Sequence, residues 1–200
     1  RVEGLGQPGD RLAEAATVAK HSDTVVLVLG RDETLEGEEM DAGNNAESCG
    51  DKVDLLLPEP QRELLHRVLD VGKPTIVILM AGSAIDLSEA EEKAEAVLLG
   101  WYPGAGGGKA VADILFGKVS PSGKLPVTFY RNKALQEMPE FTDYSMKNRT
   151  YRYYTGEPLY PFGYGLTYGD VVVTGVTADR NTAAVTVESR GSRATEDVIQ

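Results

Sequence analysis

Cysteine is nearly absent: the chain of 200 residues contains one, Cys49. A single thiol excludes an internal disulfide and any multi-cysteine zinc or iron–sulfur site. Histidine is scarce as well, with only His21 and His66. Both fall on or beside segments that read as surface helices, and no serine stands in a nucleophile-elbow pattern, so a hydrolytic triad has no support. Cys49 has no histidine near it in sequence, and it reads as a packed or partly exposed thiol rather than a nucleophile. Long apolar runs are missing too. The longest, Val25–Leu29 and Thr75–Ala81, fall far short of the roughly 18 residues of a membrane helix. Basic residues are outnumbered, 20 against 31 acidic, for a net charge of -11. Such a surface repels phosphate backbones and excludes non-specific nucleic-acid binding. No signal peptide opens the chain, and it begins at Arg1 without methionine. A cut piece of a longer protein is expected, soluble, with a bacterial cytoplasmic or a secreted parent equally compatible.

What remains is ordinary for a folded protein: 42% hydrophobic and 26% charged residues. A chain of this length buries about 70% of its unfolded surface. Arg11–Lys20 has apolar residues at helical spacing, with Asp10 as N-cap. Thr24–Leu29 is β-branched and continuously apolar, the pattern of a strand covered on both faces, and Gly30 ends it. Glu59–Val71 predicts a helix with Pro60 in its first turn and Gly72 beyond its end. Thr75–Met80 predicts a strand, Ser88–Lys93 a helix and Ala94–Leu99 a strand. Lys109–Phe116 predicts a helix ending at Gly117, and Leu125–Phe129 a strand. Strands alternating with helices imply an α/β fold with a mostly parallel sheet. From Val171 the alternating stretches 171–176 and 183–188 read as antiparallel strands.

Residues 31–54 break the alternation. They are acidic, rich in glycine and asparagine, and aperiodic. Long loops inside compact domains tend to be functional. This one follows the carboxyl end of a strand, where open α/β sheets bind ligands. A carboxyl group there can act as a general acid if its pKa is raised by burial or by a neighbouring carboxylate. A solvated acidic loop is the plain alternative, and the spacing fails the calcium-loop pattern. Gly104–Gly108 precedes a helix, but it lacks both the dinucleotide fingerprint and a P-loop ending, since Ala110 stands where Ser or Thr is needed. It reads as a structural turn. Tyrosines gather between 130 and 168 and, with Trp101, suit either a core or a sugar-stacking platform.

Three stretches together resemble glycoside hydrolase family 3, the β-glucosidase and β-xylosidase family. The first runs Leu98-Leu99-Gly100-Trp101-Tyr102-Pro103-Gly104 through Gly108 and on to Ala110–Gly117. The second is Pro121-Ser122-Gly123-Lys124-Leu125-Pro126-Val127-Thr128-Phe129. The third is Tyr151-Arg152-Tyr153-Tyr154 followed by Pro158–Tyr168, with Pro161-Phe162-Gly163-Tyr164-Gly165-Leu166 at its centre. The resemblance covers about residues 10–168. It implies that residues 1–168 are the family's C-terminal α/β domain, a three-layer sandwich with a mostly parallel sheet. Residues 169–200 are similar to the first strands of the fibronectin type III-like β-sandwich that often follows.

The resemblance also implies a retaining hydrolysis of terminal non-reducing β-linked sugars, with two carboxylates. The nucleophile would lie on an N-terminal (β/α)8 barrel of the same polypeptide, outside these 200 residues. This chain would then supply the general acid/base and one wall of the pocket, and would be inactive alone. Thr34-Leu35-Glu36-Gly37 matches the family's acid/base segment, which carries that role to Glu36, with Glu38 and Glu39 as rivals. Gly50-Asp51-Lys52 before Leu55-Leu56-Leu57-Pro58 matches the segment that follows, with Lys52 in place of the usual arginine. Asp51, Lys52 and Trp101 become candidate substrate-binding residues. An oligosaccharide or simple β-glycoside is the expected partner, with no metal and no cofactor. With the barrel absent, the loop is expected to be open and Glu36 unperturbed; covering it would raise its pKa. A non-catalytic carbohydrate-binding or structural module is the rival from another class, and a nucleotide-binding domain a weaker one.

Overall fold

The computed structural model describes residues 10–32, 35–36, 52, 54–140 and 142–199. Two compact units share the chain: residues 1–104 with 129–160, and residues 105–128 with 161–200.

The first unit is a parallel α/β layer. Helix α1 is Arg11–Lys20, and Asp10 caps it by accepting from the Ala13 N–H at 3.0 Å. Glu14 in its first turn and Lys20 in its last complement the helix dipole. Strand β1 (Val25–Gly30), helix α2 (Glu59–Leu69), strand β2 (Thr75–Met80), helix α3 (Ser88–Lys93) and strand β3 (Ala96–Leu99) follow. The strand order is β1-β2-β3, with both pairings parallel: Val25 faces Thr75 and Ile76 faces Ala96. Central β2 is apolar throughout its middle, and Val77, Ile78 and Leu79 are no more than 2% exposed. Leu27 and Leu29 of β1, Leu65, Val68 and Leu69 of α2, and Ile85, Leu87 and Ala90 beside α3 complete the core.

In this unit three sequence expectations shift, and in the second unit the helix expected over Lys109–Phe116 runs Gly107–Leu115, with Phe116 as its cap. Strand β1 is not covered on both faces among the described residues. It is an edge strand, with Leu27 and Leu29 turned inward and Val26 and Val28 48% and 57% exposed. Helix α2 ends at Leu69, because Val71 and Gly72 donate to the carbonyls of Val68 and Leu69 and Gly72 adopts φ +72°. Strand β3 begins at Ala96, because Ala94 is the extended cap of α3.

Leu125–Phe129 is not a strand. Phe129 forms an isolated antiparallel bridge to Tyr160, donating to it at 2.8 Å and accepting from the Leu159 N–H at 2.8 Å. Leu125 exchanges bonds with Tyr164 and Gly163, each at 2.8 Å. Pro126, Pro158 and Pro161 bring no N–H, so a continuous ladder cannot form.

The second unit holds helix α4 (Gly107–Leu115) and a β-hairpin. Strands β4 (Val171–Ala178) and β5 (Ala183–Ser189) are antiparallel, with a bulge between Val173 and Gly175. Asp179 closes the turn by accepting from the N–H groups of Asn181 and Thr182 at 2.8 and 2.9 Å. Lys124 ties residues 161–200 to the α4 side, through Asp197 at 3.0 Å and the Gly165 carbonyl at 2.6 Å.

Candidate functional site

Because β1, β2 and β3 are parallel, their carboxyl ends share one edge of the sheet, the place where such sheets bind ligands. Arg31 leaves β1 there, Ala81-Gly82-Ser83 leave β2, and Gly100-Trp101-Tyr102 leave β3. Arg31 is 7% exposed and keeps the register at this edge: its N–H donates to the Met80 carbonyl at 2.9 Å and its guanidinium to the Leu56 carbonyl at 2.6 Å. A turn then brings Glu36 back over the sheet, with the N–H groups of Leu35 and Glu36 both donating to the Asp32 carbonyl at 3.0 Å.

The Glu36 carboxylate is the hub of the site. Its Oε2 accepts from the Gly82 N–H at 2.7 Å and from the Tyr102 hydroxyl. Its Oε1 accepts from the Ser83 hydroxyl, and the Lys52 ammonium stands 3.9 Å away. Lys52 itself donates to the Ser83 hydroxyl at 2.5 Å and to the Ala84 carbonyl at 2.9 Å. Ser83 thus accepts from Lys52 and donates to Glu36. The close approach depends on Gly82. A Cβ there would lie 2.6 Å from a Tyr102 ring carbon and 2.9 Å from Glu36 Oε2.

These contacts set the charges. Burial pushes the Glu36 carboxyl up, but bonds from Ser83, Tyr102 and the Gly82 N–H, with the Lys52 charge, outweigh it and hold the group below the usual carboxylate range. Desolvation and then the bond to Glu36 push the Tyr102 phenol up to about 12, so it stays a donor. Burial, against the pull of Glu36, lowers Lys52. The expected unperturbed Glu36 is therefore corrected, while the expected openness of the loop falls on residues 37–51, outside the described residues. The Glu36 side chain is 11% exposed and ionised, because the neighbouring strand ends supply Gly82, Ser83 and Tyr102 as donors beside the Lys52 charge.

Of the residues singled out from sequence, Glu36 and Lys52 come together. Trp101 is next to Tyr102 in the chain and has φ +50°, a left-handed conformation that is strained for a large side chain. Its ring meets Phe129 edge-on, centroids 6.2 Å apart at 85°. Glu38, Glu39, Cys49 and Asp51 lie outside the described residues. Gly82, Ser83 and Tyr102 were not singled out as site residues. Gly82 and Ser83 carry a legible signal, since they directly follow a strand at its carboxyl end. Tyr102 carries one only as part of Trp101–Gly104.

Elsewhere, the tyrosines divide. Tyr130 packs edge-on against Tyr154 at 4.9 Å and accepts from the Thr150 N–H at 2.6 Å, whereas Tyr144, Tyr151 and Tyr153 are more than half exposed. His66, Asp70 and Glu89 gather on the surface of α2 and α3. There the Lys93 ammonium, 3.0 Å from both carboxylates, already supplies the positive charge. No helix among the described residues is long and apolar enough to cross a membrane.

Residues 3–168 match the glycosyl hydrolase family 3 C-terminal domain. A xylan 1,4-β-xylosidase of Xylanibacter ruminicola is 45% identical over 155 residues, covering 78% of this chain and 18% of that protein. A periplasmic β-glucosidase of Salmonella typhimurium is 33% identical over 213 residues, covering 96% of this chain and 26% of that protein. The crystal structure of a β-glucosidase from Streptomyces venezuelae in complex with D-glucose superposes with a TM-score of 0.74 at 31% identity, over 92% of this chain and 24% of that one. The chain thus spans about a fifth to a quarter of the curated relatives it matches. Its parallel sheet, its helices and its small antiparallel sheet agree with these neighbours, and the chain belongs to glycosyl hydrolase family 3, as its C-terminal α/β domain.

Proposed function

We propose that, in its full-length protein, this chain is part of a retaining β-glycosidase that hydrolyses terminal non-reducing β-linked xylose or glucose. The chain supplies one wall of the sugar pocket and the acid/base carboxyl group, and a barrel elsewhere in the same polypeptide supplies the nucleophile. The carrying observation is the Glu36–Lys52–Tyr102 cluster at the carboxyl edge of the sheet. It sets a carboxylate, an ammonium and an aromatic ring where a second domain would close over them, in a chain whose relatives bear xylosidase and glucosidase names. Residues 169–200, with their antiparallel hairpin, are the start of a fibronectin type III-like domain.

The reaction has two steps. In the first, the nucleophile's carboxylate forms an ester to the anomeric carbon as the glycosidic C–O bond breaks, and the leaving oxygen takes a proton from the acid/base. In the second, that group removes a proton from water, whose oxygen bonds to the anomeric carbon as the ester breaks. The proton-transferring group belongs to the acidic loop, at Glu36 or its rivals Glu38 and Glu39. Asp51, Lys52 and Trp101 are assigned to sugar binding.

Proton NMR of products released by the full-length enzyme from 4-nitrophenyl β-xyloside and β-glucoside tests the reading. The β-anomer must appear first from at least one of them. Release of the α-anomer first, or turnover of neither, overturns it. A second reading, a supporting module without a catalytic carboxyl group, is favoured by the three hydrogen bonds that Glu36 accepts from the strand ends. It predicts near-normal rates when Glu36, Glu38 and Glu39 are each replaced by glutamine.

A further inference from the structure

We propose that Glu36 is a positioning residue: its carboxylate clamps the start of the acidic loop across the ends of β2 and β3, and another carboxyl group carries the proton. This rests on the family 3 glycosidase reading above and narrows it.

The geometry of the carboxylate is the first support. A general acid needs a proton on one oxygen and a free direction towards the leaving group. Both Glu36 oxygens already face donors: Oε1 the Ser83 hydroxyl, Oε2 the Tyr102 hydroxyl and the Gly82 N–H. Oε2 already accepts two bonds, so a proton there must displace one of them, and Oε1, which accepts from Ser83, has the Lys52 ammonium 3.9 Å away, a charge that favours the ionised form. The side chain is 11% exposed, which leaves little of it for a glycosidic oxygen to meet.

The second support is the placing of the partners. Glu36 follows β1, Gly82 and Ser83 follow β2, and Tyr102 follows β3. One carboxylate therefore joins the ends of three parallel strands, a bond pattern that fixes a loop against a sheet. Gly82 has no Cβ at the one place where a Cβ would enter the Tyr102 ring and the carboxylate, so the backbone is shaped for this contact. Among the charged groups around it, Lys52 acts on Glu36 itself, Arg31 and Asp54 shift Lys52 in opposite senses, and Asp32 acts on Tyr102. The nearest of them, Lys52, favours the ionised carboxylate.

The test compares Glu36→Gln and Tyr102→Phe in the full-length enzyme, on an aryl β-glycoside with a good leaving group and one with a poor leaving group, with and without azide. Tyr102 is 53% exposed, and its phenylalanine variant removes only the hydroxyl. A positioning role predicts losses of ~10- to 100-fold in kcat that are equal on the two substrates in both variants. Azide gives no rescue, the basic limb of the kcat/KM pH profile persists, and the double variant is no worse than Glu36→Gln alone. The proposal is overturned if Glu36→Gln loses far more on the poor leaving group and azide restores turnover as glycosyl azide. It is equally overturned if Tyr102→Phe is unaffected on both substrates, and this variant decides alone should Glu36→Gln not fold. An inactive wild-type enzyme would sink the glycosidase reading instead. Amide exchange at Gly82 then decides the clamp: faster exchange in Tyr102→Phe supports it, and unchanged exchange refutes it.

Discussion

The hydroxyl of Tyr102 donates to the carboxylate of Glu36 across 66 residues of sequence, joining the loop after β1 to the end of β3. Both groups sit at the edge where parallel strands leave their carboxyl ends, and the Gly82 N–H completes the same oxygen's shell. The bond makes the start of an otherwise aperiodic acidic loop part of the sheet's edge.

Gly82 leaves no room for a side chain in this cluster. In Gly82→Ala the new Cβ would be 2.6 Å from the Tyr102 ring and 2.9 Å from Glu36 Oε2, so one of them must move. Displacement on the scale of 1 Å costs up to ~100-fold in rate. The expected result in the full-length enzyme is a loss of at least ~10-fold in kcat with the fold intact, checked by steady-state kinetics and circular dichroism.

Acid should undo the clamp. The Glu36 carboxyl is held below its ordinary value of 4.5, so its contribution to stability is fully present above that value. The contribution is lost as pH falls through the lower folded-state value. Urea midpoints of the wild-type chain and of Glu36→Gln should therefore differ at pH 7 and converge as the pH drops below 4.5. A difference that is constant from neutral to acid pH would contradict the assignment.

Central β2 carries the core. Ile78 is 2% and Leu79 1% exposed, and truncating either to alanine should cost about 2–5 kcal/mol in denaturant unfolding. Val28→Ala, on the exposed face of β1, should cost far less.

Gln61 protects the end of the edge strand. Its side-chain amide accepts from the Gly30 N–H at 2.9 Å and donates to the Gly30 carbonyl at 2.7 Å. Gln61→Ala leaves both backbone groups without this partner, an expected cost of about 1–3 kcal/mol. Amide exchange at Gly30 should accelerate.

The helices and strands of the first unit are legible because local signals coincide there. Asp10 caps α1 as its position suggests, and the run Thr75–Met80, β-branched from Thr75 to Ile78, is a strand end to end. Leu125–Phe129 misleads because its apolar pattern is that of a strand while its prolines remove the ladder's donors. At the site, Glu36 and Lys52 are legible through the resemblance of their segments to a family. Their electrostatics are not, since the groups that hold Glu36 ionised come from Ser83 and Tyr102, 47 and 66 residues away. Spacing along a chain does not report which strand ends a fold will bring together.

The most direct test of the clamp is a carbon-13 NMR titration of the Glu36 side-chain carboxyl in this chain, assigned by its absence in Glu36→Gln. Titration below 4.5 in the wild type, moving up in Tyr102→Phe, is the expected result. Titration at or above 4.5, unchanged by loss of the Tyr102 hydroxyl, would contradict it.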